Sequence, residues 1–195
     1  ANPVPDIEQI EATNPCGEQP LGPNDACNLG SINLVKFAKS SDHGYRNGHG
    51  RSDRIDWAEL ERVVRIAVRF LDDVIEVNPY PLPAIDEEVK RNRRIGLGVM
   101  GWADLLLELG IPYDSEEALA LADQLMAFIE RVGHEESAHL ATEREPFPHW
   151  SQSIYRHEKP LRNSTVTTVA PTGTISIIAG CSSGIEPLFA VAYSH

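Results

Sequence analysis

Apolar residues recur at helical spacing in two long stretches of the chain. The first follows Asp56, a residue type that caps helices, and must stop before Pro79. The second follows Ser115, which is succeeded by two acids that suit the positive end of a helix dipole. It continues towards Arg144 and is closed by Pro146. The pattern therefore predicts two long amphipathic helices.

Shorter segments complete the pattern. A short helix is predicted around residues 84–92, and the apolar segment Arg93–Met100, punctuated by glycines, follows it. A further helix is predicted from Gly101 to Gly110, where the second glycine suits a C-terminal cap. Residues Ser164–Ala170 alternate β-branched and small side chains, which predicts a strand. Strands interspersed with long helices indicate the α/β class.

The remaining stretches are predicted to be loops. The first thirty residues are rich in Pro, Gly, Asn and charge and lead into a short apolar run, Leu29–Phe37. Residues 40–54 contain almost no apolar side chains and are predicted to form an exposed connection. His43 and His49 lie in this connection, but no carboxylate accompanies them in a metal-binding pattern, so a solvated linker is favoured. Trp57 and Trp102 fall at apolar helical positions and are predicted to be core residues.

Composition narrows the functional classes. The chain has 195 residues, which suits one domain, and a net charge of −12 from 17 basic and 29 acidic side chains. That balance argues against nucleic-acid binding through a general basic surface. No stretch approaches the roughly 18 apolar residues of a membrane span, and no export signal is visible. Three widely spaced cysteines suit neither a disulfide framework nor a zinc ribbon, so we expect a reducing, cytoplasmic setting.

One candidate site is the loop Asn14-Pro15-Cys16-Gly17-Glu18-Gln19-Pro20-Leu21. If this loop is extended, residues two apart point the same way, so Asn14, Cys16 and Glu18 would face one ligand. A neighbouring carboxylate raises the pKa of a thiol, which argues against thiolate chemistry. It is compatible with one-electron chemistry, in which a neutral thiol loses a hydrogen atom. A buried cysteine in a polar loop is the structural alternative.

A second candidate site follows the predicted strand of residues 164–170. Its backbone N–H groups and hydroxyls could hold phosphate oxygens, which would let an acidic protein bind an anion locally. An ordinary tight turn is the alternative reading, and no lysine lies within the segment. The residues concerned are Ala170, Pro171, Thr172, Gly173, Thr174, Ile175 and Ser176.

Together these segments resemble the catalytic subunits of ribonucleotide reductases. The sequence around Cys16 and the Ala-Pro-Thr-Gly-Thr turn are most similar to the adenosylcobalamin-dependent (class II) enzymes. The matching stretches lie in the family's order: NPCGEQPL at 14–21, ACNLGSINL at 26–34, RRIGLGVMGWADLL at 93–106, and RNSTVTTVAPTGTIS with SSGIEP between 162 and 187.

The resemblance implies roles for these residues. Cys16 would form a thiyl radical that removes the 3′ hydrogen of a ribonucleotide, with Glu18 as base at the 3′ hydroxyl and Asn14 hydrogen-bonding in the same cluster. Cys27 would be one half of the dithiol that reduces the 2′ position. The turn at residues 170–176 would hold the diphosphate or triphosphate of the substrate.

The resemblance also implies a fold and partners. The fold would be part of a ten-stranded α/β barrel, with a finger loop at about 10–28, the exposed linker at about 40–54 and the phosphate turn at about 170–176. Adenosylcobalamin would be the cofactor, with most of its contacts outside this chain. The other partners would be the rest of the reductase chain and a thioredoxin- or glutaredoxin-type reductant.

Several family features are absent from the sequence. The partner of Cys27, the nucleotide-specificity loops and the shuttle cysteines have no match, so the chain is expected to be inactive alone. Cys181 is interpreted as a buried cysteine near the turn, and Glu186 receives no role. Two alternatives stay open: a subunit of the oxygen-dependent (class I) reductase that uses a metal-radical partner, and a non-catalytic phosphate-binding fragment.

Overall fold

The computed structural model of the chain describes residues 2–39 and 51–188. The long helices and the two shorter ones lie where the sequence predicts them. The helices are α1 (Trp57–Val77), α2 (Pro83–Asn92), α3 (Trp102–Leu109), α4 (Glu116–Arg144) and α5 (Gly173–Ala179), with 3-10 turns at Leu34–Phe37, Arg51–Arg54 and Trp150–Gln152.

Local capping explains where the helices begin and end. The Asp56 side chain accepts the Glu59 N–H at 3.1 Å at the start of α1. The Ser115 hydroxyl accepts the Ala118 N–H at 3.2 Å at the start of α4. Gly110 ends α3 with a φ of 68°, a conformation that glycine adopts without strain. These predicted caps are confirmed.

Two small sheets are present in the described ranges. Strands β1 (Ala12–Thr13) and β2 (Pro20–Leu21) form an antiparallel hairpin. Strands β3 (Asn28–Asn33) and β4 (Ile95–Met100) pair in parallel, with their residues opposed in order from first to last. Every residue of β4 is buried, as expected for a central parallel strand. The α/β class is confirmed, but these strands do not close a barrel.

The predicted strand at 164–170 is only partly formed. This segment runs along β4 and makes a single parallel bridge, between Thr167 and Leu97. The Ile95 and Leu97 N–H groups donate to the adjacent carbonyls of Thr165 and Val166, although a regular ladder would use carbonyls two residues apart. This local slip interrupts the ladder, so the prediction of a regular strand is wrong while its extended path beside β4 is real.

The main core lies between the β3–β4 pair and the helices α1 and α4. Val64 and Val68 of α1 are fully buried, as are Ile129 and Val132 of α4. Each large apolar side chain that is fully buried contributes about 1.5–3 kcal/mol to the free energy of unfolding. The packing of these helices and strands is therefore the principal source of stability. Trp102 belongs to the same core.

Trp57 is half-buried at the edge of this core. Its ring meets Phe128 of α4 edge-on, with 5.0 Å between the ring centroids. Both tryptophans therefore pack as core residues, as the apolar pattern predicts.

A buried carboxylate, Asp72 of α1, ties the core to the loops around it. It accepts hydrogen bonds from Arg93 Nη2 at 2.8 Å and Asn163 Nδ2 at 3.0 Å. Its Oδ2 atom also forms ion pairs with Arg144 Nη1 at 3.3 Å and with Arg162 Nε at 3.4 Å. A charge this deep is tolerated only when it is paired and hydrogen-bonded. Asp72 therefore fixes the start of β4 and the approach to residue 164 against α1.

Candidate functional site

The loop that carries Cys16 is the tight tip of the β1–β2 hairpin. The Asn14 side-chain oxygen accepts the Gln19 N–H at 2.9 Å, and the Asn14 N–H donates to the Gln19 carbonyl at 3.1 Å. The Asn14 carbonyl accepts the Gly17 N–H, and Gly17 has a φ of 85° that suits glycine. Because the tip is a closed turn and not extended, the predicted alternation of residues 14, 16 and 18 does not describe it. Cys16 lies exposed at the tip.

Glu18 is turned towards the body of the protein. Its carbonyl accepts the Thr168 hydroxyl at 3.3 Å, which joins the hairpin to the extended segment beside β4. One of its carboxylate oxygens, Oε2, is fully buried and has no hydrogen-bond partner among the described residues. A buried carboxylate oxygen without a donor is costly, so it marks a place where a ligand hydroxyl would be favoured.

Gly96 of β4 makes room for the hairpin. A Cβ atom at this position would lie 2.7 Å from the Leu29 side chain and 2.9 Å from the Gln19 and Thr168 side chains. Those distances are too short for any real contact. A side chain at this position would have to displace these groups, so glycine favours the close approach of the hairpin to β4.

Cys27 lies just before β3, where the hairpin, β4 and the segment beside it converge. Burial raises the pKa of Cys27 to about 12, and the Asp25 carboxylate adds to that increase while Arg94 opposes it. The nearby Glu18 carboxylate also raises this pKa, whereas a hydrogen bond with the Thr165 hydroxyl lowers it. Burial, with the Asp25 and Glu18 carboxylates adding to it, thus keeps the thiol neutral.

A buried polar network lies beside Cys27. Asp25 is buried, and its Oδ2 lies 2.5 Å from Arg94 Nε and 2.9 Å from Asn92 Nδ2. The Arg94 side chain is 1% exposed and also donates to both oxygens of Glu8, at 2.8 and 2.9 Å. None of these network residues is predicted as a site residue from the sequence. A signal was available, since two arginines directly before a buried strand must find buried counterions.

The turn at residues 170–176 begins two positions after Thr168, whose hydroxyl contacts the Glu18 carbonyl. Thr172 is largely buried and adopts a φ of 58°, which is strained for a β-branched residue. Its hydroxyl accepts the Gly184 N–H at 2.6 Å. A Cβ on Gly184 would lie 2.8 Å from the Ala170 carbonyl, so only glycine fits beneath the turn. Gly173 opens α5.

The members of this predicted site differ in exposure. Ala170, Thr172 and Ser176 are buried, and the Ser176 hydroxyl lies 3.0 Å from that of Ser183. The other four residues are exposed: Pro171, Gly173, Thr174 and Ile175.

Cys181 and Glu186 line a cleft beside α5, and Ser176 of the predicted phosphate turn lines it too. This cleft has a volume of about 460 Å³ and is bordered by Asp104, whose carboxylate accepts the Ser182 N–H at 2.7 Å. Cys181 is only partly buried, whereas the sequence interpretation expected a buried cysteine. Burial and the Asp104 carboxylate raise the pKa of its thiol, while Lys36 lowers it.

Two classes of feature are not found in the part of the chain that the structure describes. No cluster of three or more His, Cys, Asp or Glu side chains there is arranged to hold a metal ion. No helix within residues 2–39 and 51–188 combines the length and apolar content needed to cross a membrane. His43, His49 and residues 40–50 of the predicted linker lie outside the described residues.

Comparison with known proteins places these features in a family. The family described as "Ribonucleotide reductase, barrel domain" matches residues 1–160 and 156–195. The chain is 53% identical over its whole length to the vitamin B12-dependent ribonucleoside-diphosphate reductase of Mycobacterium tuberculosis, of which it covers 26%. Over 98% of its length it is 51% identical to the protein of the same name from Thermoplasma acidophilum, of which it covers 24%.

A more distant relative carries a different name. The ribonucleoside-diphosphate reductase subunit alpha of Chlamydia pneumoniae is 32% identical over 92% of this chain, which covers 20% of that protein. The chain thus spans about a quarter of the length of its more similar curated relatives.

Proposed function

The chain belongs to the ribonucleotide reductase barrel-domain family, and on that premise we propose that it forms the radical-cysteine part of an adenosylcobalamin-dependent ribonucleoside-diphosphate reductase. The relatives that are 53% and 51% identical are named as vitamin B12-dependent, whereas the relative named subunit alpha is 32% identical. That difference favours the cobalamin-dependent class over the metal-radical class. The names of the relatives also favour a diphosphate as the substrate.

The observation that carries the proposal is that Glu18 has a buried, unpartnered carboxylate oxygen and lies within electrostatic reach of the Cys27 thiol. The unpartnered, buried carboxylate oxygen of Glu18 suits a substrate hydroxyl, and its charge acts on the Cys27 thiol. A base for the 3′ hydroxyl and a reductant for the 2′ position must both reach one ribose ring. Their proximity supports the assignment of Glu18 as base and Cys27 as one thiol of the redox pair.

Cys16 has the exposure that its proposed role requires. When bound, adenosylcobalamin supplies the one-electron chemistry that turns a thiol into a thiyl radical. An exposed thiol at a hairpin tip can meet a reactant held by another part of the enzyme. The Asn14 side chain would act by holding the tip closed, since its oxygen already accepts the Gln19 N–H.

The overall reaction balances with a second thiol from outside this chain. Two thiols give up two hydrogens and form one S–S bond, the C2′–OH bond is replaced by C2′–H, and the oxygen leaves as water. A thioredoxin- or glutaredoxin-type dithiol would then reduce the disulfide. All three cysteines are free thiols, which fits a reducing, cytoplasmic setting.

Four clefts among the described residues have volumes of about 420–460 Å³, the size of sites for drug-sized ligands, and each is too small to enclose a whole adenosylcobalamin. We therefore expect most of its contacts in the remainder of the full-length protein. The rest of the chain would also complete a ten-stranded barrel around the parallel β3–β4 pair and the extended segment beside it.

Two segments of the chain have definite roles in the proposed enzyme. The finger loop at about 10–28 would contain the β1–β2 hairpin, and residues 170–176 would hold the substrate diphosphate. The exposed Gly173 and Thr174 and the strained Thr172 support a ligand-binding turn.

The test is an assay of the full-length protein that carries this sequence. It is supplied with adenosylcobalamin, a dithiol and a ribonucleoside diphosphate, and deoxynucleotide is measured. We expect product that depends on the cofactor and falls to background in Cys16→Ser, while Cys181→Ser stays active. Product that requires a metal-radical partner protein in place of cobalamin would move the chain to the class I subunit. Folded protein that is silent under both conditions would leave a non-catalytic role.

A further inference from the structure

The buried ion pair between Arg94 and Asp25 is placed beside Cys27 by the strand register. In the parallel β3–β4 pair, Asn28 lies opposite Ile95. Cys27 directly precedes Asn28 and Arg94 directly precedes Ile95, so Cys27 and Arg94 lie next to each other. Asp25 precedes Cys27 by two positions and meets Arg94 at 2.5 Å.

The pair restrains the segment that carries the thiol. Besides meeting Arg94, the Asp25 carboxylate accepts the Ala26 N–H through Oδ1 at 2.8 Å. The backbone just before Cys27 is thus bound to a side chain that is itself locked in place. Arg94 cannot move freely, because Glu8 holds its other end through two hydrogen bonds. Because Nε donates to Asp25 and Nη2 donates to Glu8, these charge-assisted hydrogen bonds fix the orientation of the guanidinium group as well as its charge.

We infer that the Arg94–Asp25 pair is a positioning device for Cys27, holding the segment that carries its thiol in place. The inference rests on the proposed role of Cys27 as a redox thiol. Neither side chain is assigned contact with the substrate, so both act through Cys27.

The electrostatics agree with this placement. Asp25 raises the pKa of the Cys27 thiol and Arg94 lowers it, so the two charges oppose each other at the sulfur. The remaining titratable group that acts on the thiol is Glu18, from the hairpin, which raises the pKa. A protonated thiol retains the hydrogen that reduction of the substrate consumes. A premature thiolate would instead be open to side reactions with oxidants.

Charge variants separate a positioning role from a merely structural one. The reduced full-length protein is alkylated with iodoacetamide over a range of pH, and modification of the Cys27 peptide is followed by mass spectrometry. Asp25→Asn should lower the midpoint by about one pH unit, giving about tenfold more thiolate at a fixed pH. Arg94→Gln should shift the midpoint in the opposite direction.

Two further variants distinguish an effect of charge from an effect of misfolding. Arg94→Lys keeps the positive charge and should keep the midpoint close to that of the wild type. The double variant Asp25→Asn/Arg94→Gln removes both charges and should return the midpoint towards the wild-type value. Loss of packing would act differently, because it would expose the thiol and lower the midpoint in every variant, most of all in the double one.

The neighbouring Arg93–Asp72 pair provides a matched control. It joins the same residue types at 2.8 Å and is equally buried, but it faces α1 and not the thiol. Arg93→Gln and Asp72→Asn should lower the thermal stability without moving the Cys27 midpoint. If these controls moved the midpoint as much as the Asp25 and Arg94 variants do, the inference would be overturned.

The alkylation assay needs neither nucleotide nor cobalamin, which separates the two proposals. In the active enzyme we expect Arg94→Lys to lower kcat with little change in the KM for nucleotide, since the displaced thiol acts after binding. Equal midpoints across all variants of an active reductase would reject the positioning role alone. The expected shifts in a protein without reductase activity would support the ion-pair effect and reject the proposed function.

Discussion

The Thr168 hydroxyl donates a hydrogen bond to the main-chain carbonyl of Glu18 across 3.3 Å, joining residues that lie 150 positions apart in the sequence. This contact ties the tip of the β1–β2 hairpin to the segment that leads into the turn at residues 170–176. The base and the phosphate turn of the proposed site are therefore carried by segments in direct contact. The geometry of the hairpin tip depends on this contact as well as on its own turn.

Removing that hydroxyl should weaken the function more than the fold. Thr168→Val keeps the shape of the side chain and loses the hydrogen bond, so we expect a loss of about 1 kcal/mol in the free energy of unfolding. A displaced Glu18 should lower kcat of the full-length enzyme by about tenfold to a hundredfold. Thr167→Val, the same change one residue away, is the control for kcat. Equal losses of kcat in the two variants would show that the Thr168–Glu18 contact does not position the base.

Substituting Gly96 should displace the hairpin from β4. In Gly96→Ala the new methyl group would overlap the Leu29, Gln19 and Thr168 side chains, and overpacking of this kind costs about 1–3 kcal/mol. Denaturant unfolding measures the loss, and turnover should fall with it. Gly30→Ala in β3 is the control, because its methyl group would meet its nearest neighbour at an ordinary 3.5 Å. A Gly96→Ala protein as stable and active as Gly30→Ala would contradict the close packing.

Adjacent aspartates of α1 should differ sharply in their contribution to stability. Asp72→Asn would leave the buried Arg93 and the partly buried Arg162 short of a counterion, and breaking a buried pair costs about 3–5 kcal/mol. Asp73 is half exposed and pairs with Arg144. Asp73→Asn should therefore cost at most about 1 kcal/mol. Chemical denaturation of both variants tests the ranking, and similar losses would argue against Asp72 as the organising charge.

The Cys27 thiol should make stability depend on pH in the alkaline range. Its pKa in the folded protein is about 12, above the ordinary value of 9.0, so between these values the unfolded chain has lost a proton that the folded protein keeps. This contribution to stability is complete below about pH 9 and is lost as pH rises towards 12, by up to about 1.4 kcal/mol per pH unit.

Unfolding measured at a series of alkaline pH values would check this dependence. Other groups also titrate there, so the comparison with Cys27→Ser is decisive. The variant should lose part of the alkaline slope, whereas Cys16→Ser, which removes an exposed thiol, should keep it. Parallel profiles for the wild type and Cys27→Ser would contradict a strongly raised pKa.

The sequence by itself determined the four helices α1 to α4 and their approximate limits, but not the short helix α5. Asp56 and Ser115 cap α1 and α4 through hydrogen bonds to residues three positions further on, and Gly110 ends α3 through its own backbone conformation. These interactions are local, so a pattern of residue types along the chain is sufficient to predict them. The motif around Cys16 was equally visible, since a resemblance in residue order needs no coordinates.

Only the tertiary structure decided which side chains meet around the candidate site. Arg94 pairs with Asp25 across 69 positions, and the Glu18 carboxylate acts on the Cys27 thiol although it lies on the separate β1–β2 hairpin. The extended reading of the Cys16 loop was wrong because hydrogen bonds between Asn14 and its neighbours close it into a turn. Burial, partner and pKa all depend on how separate elements pack in space, and no local period of the sequence contains that information.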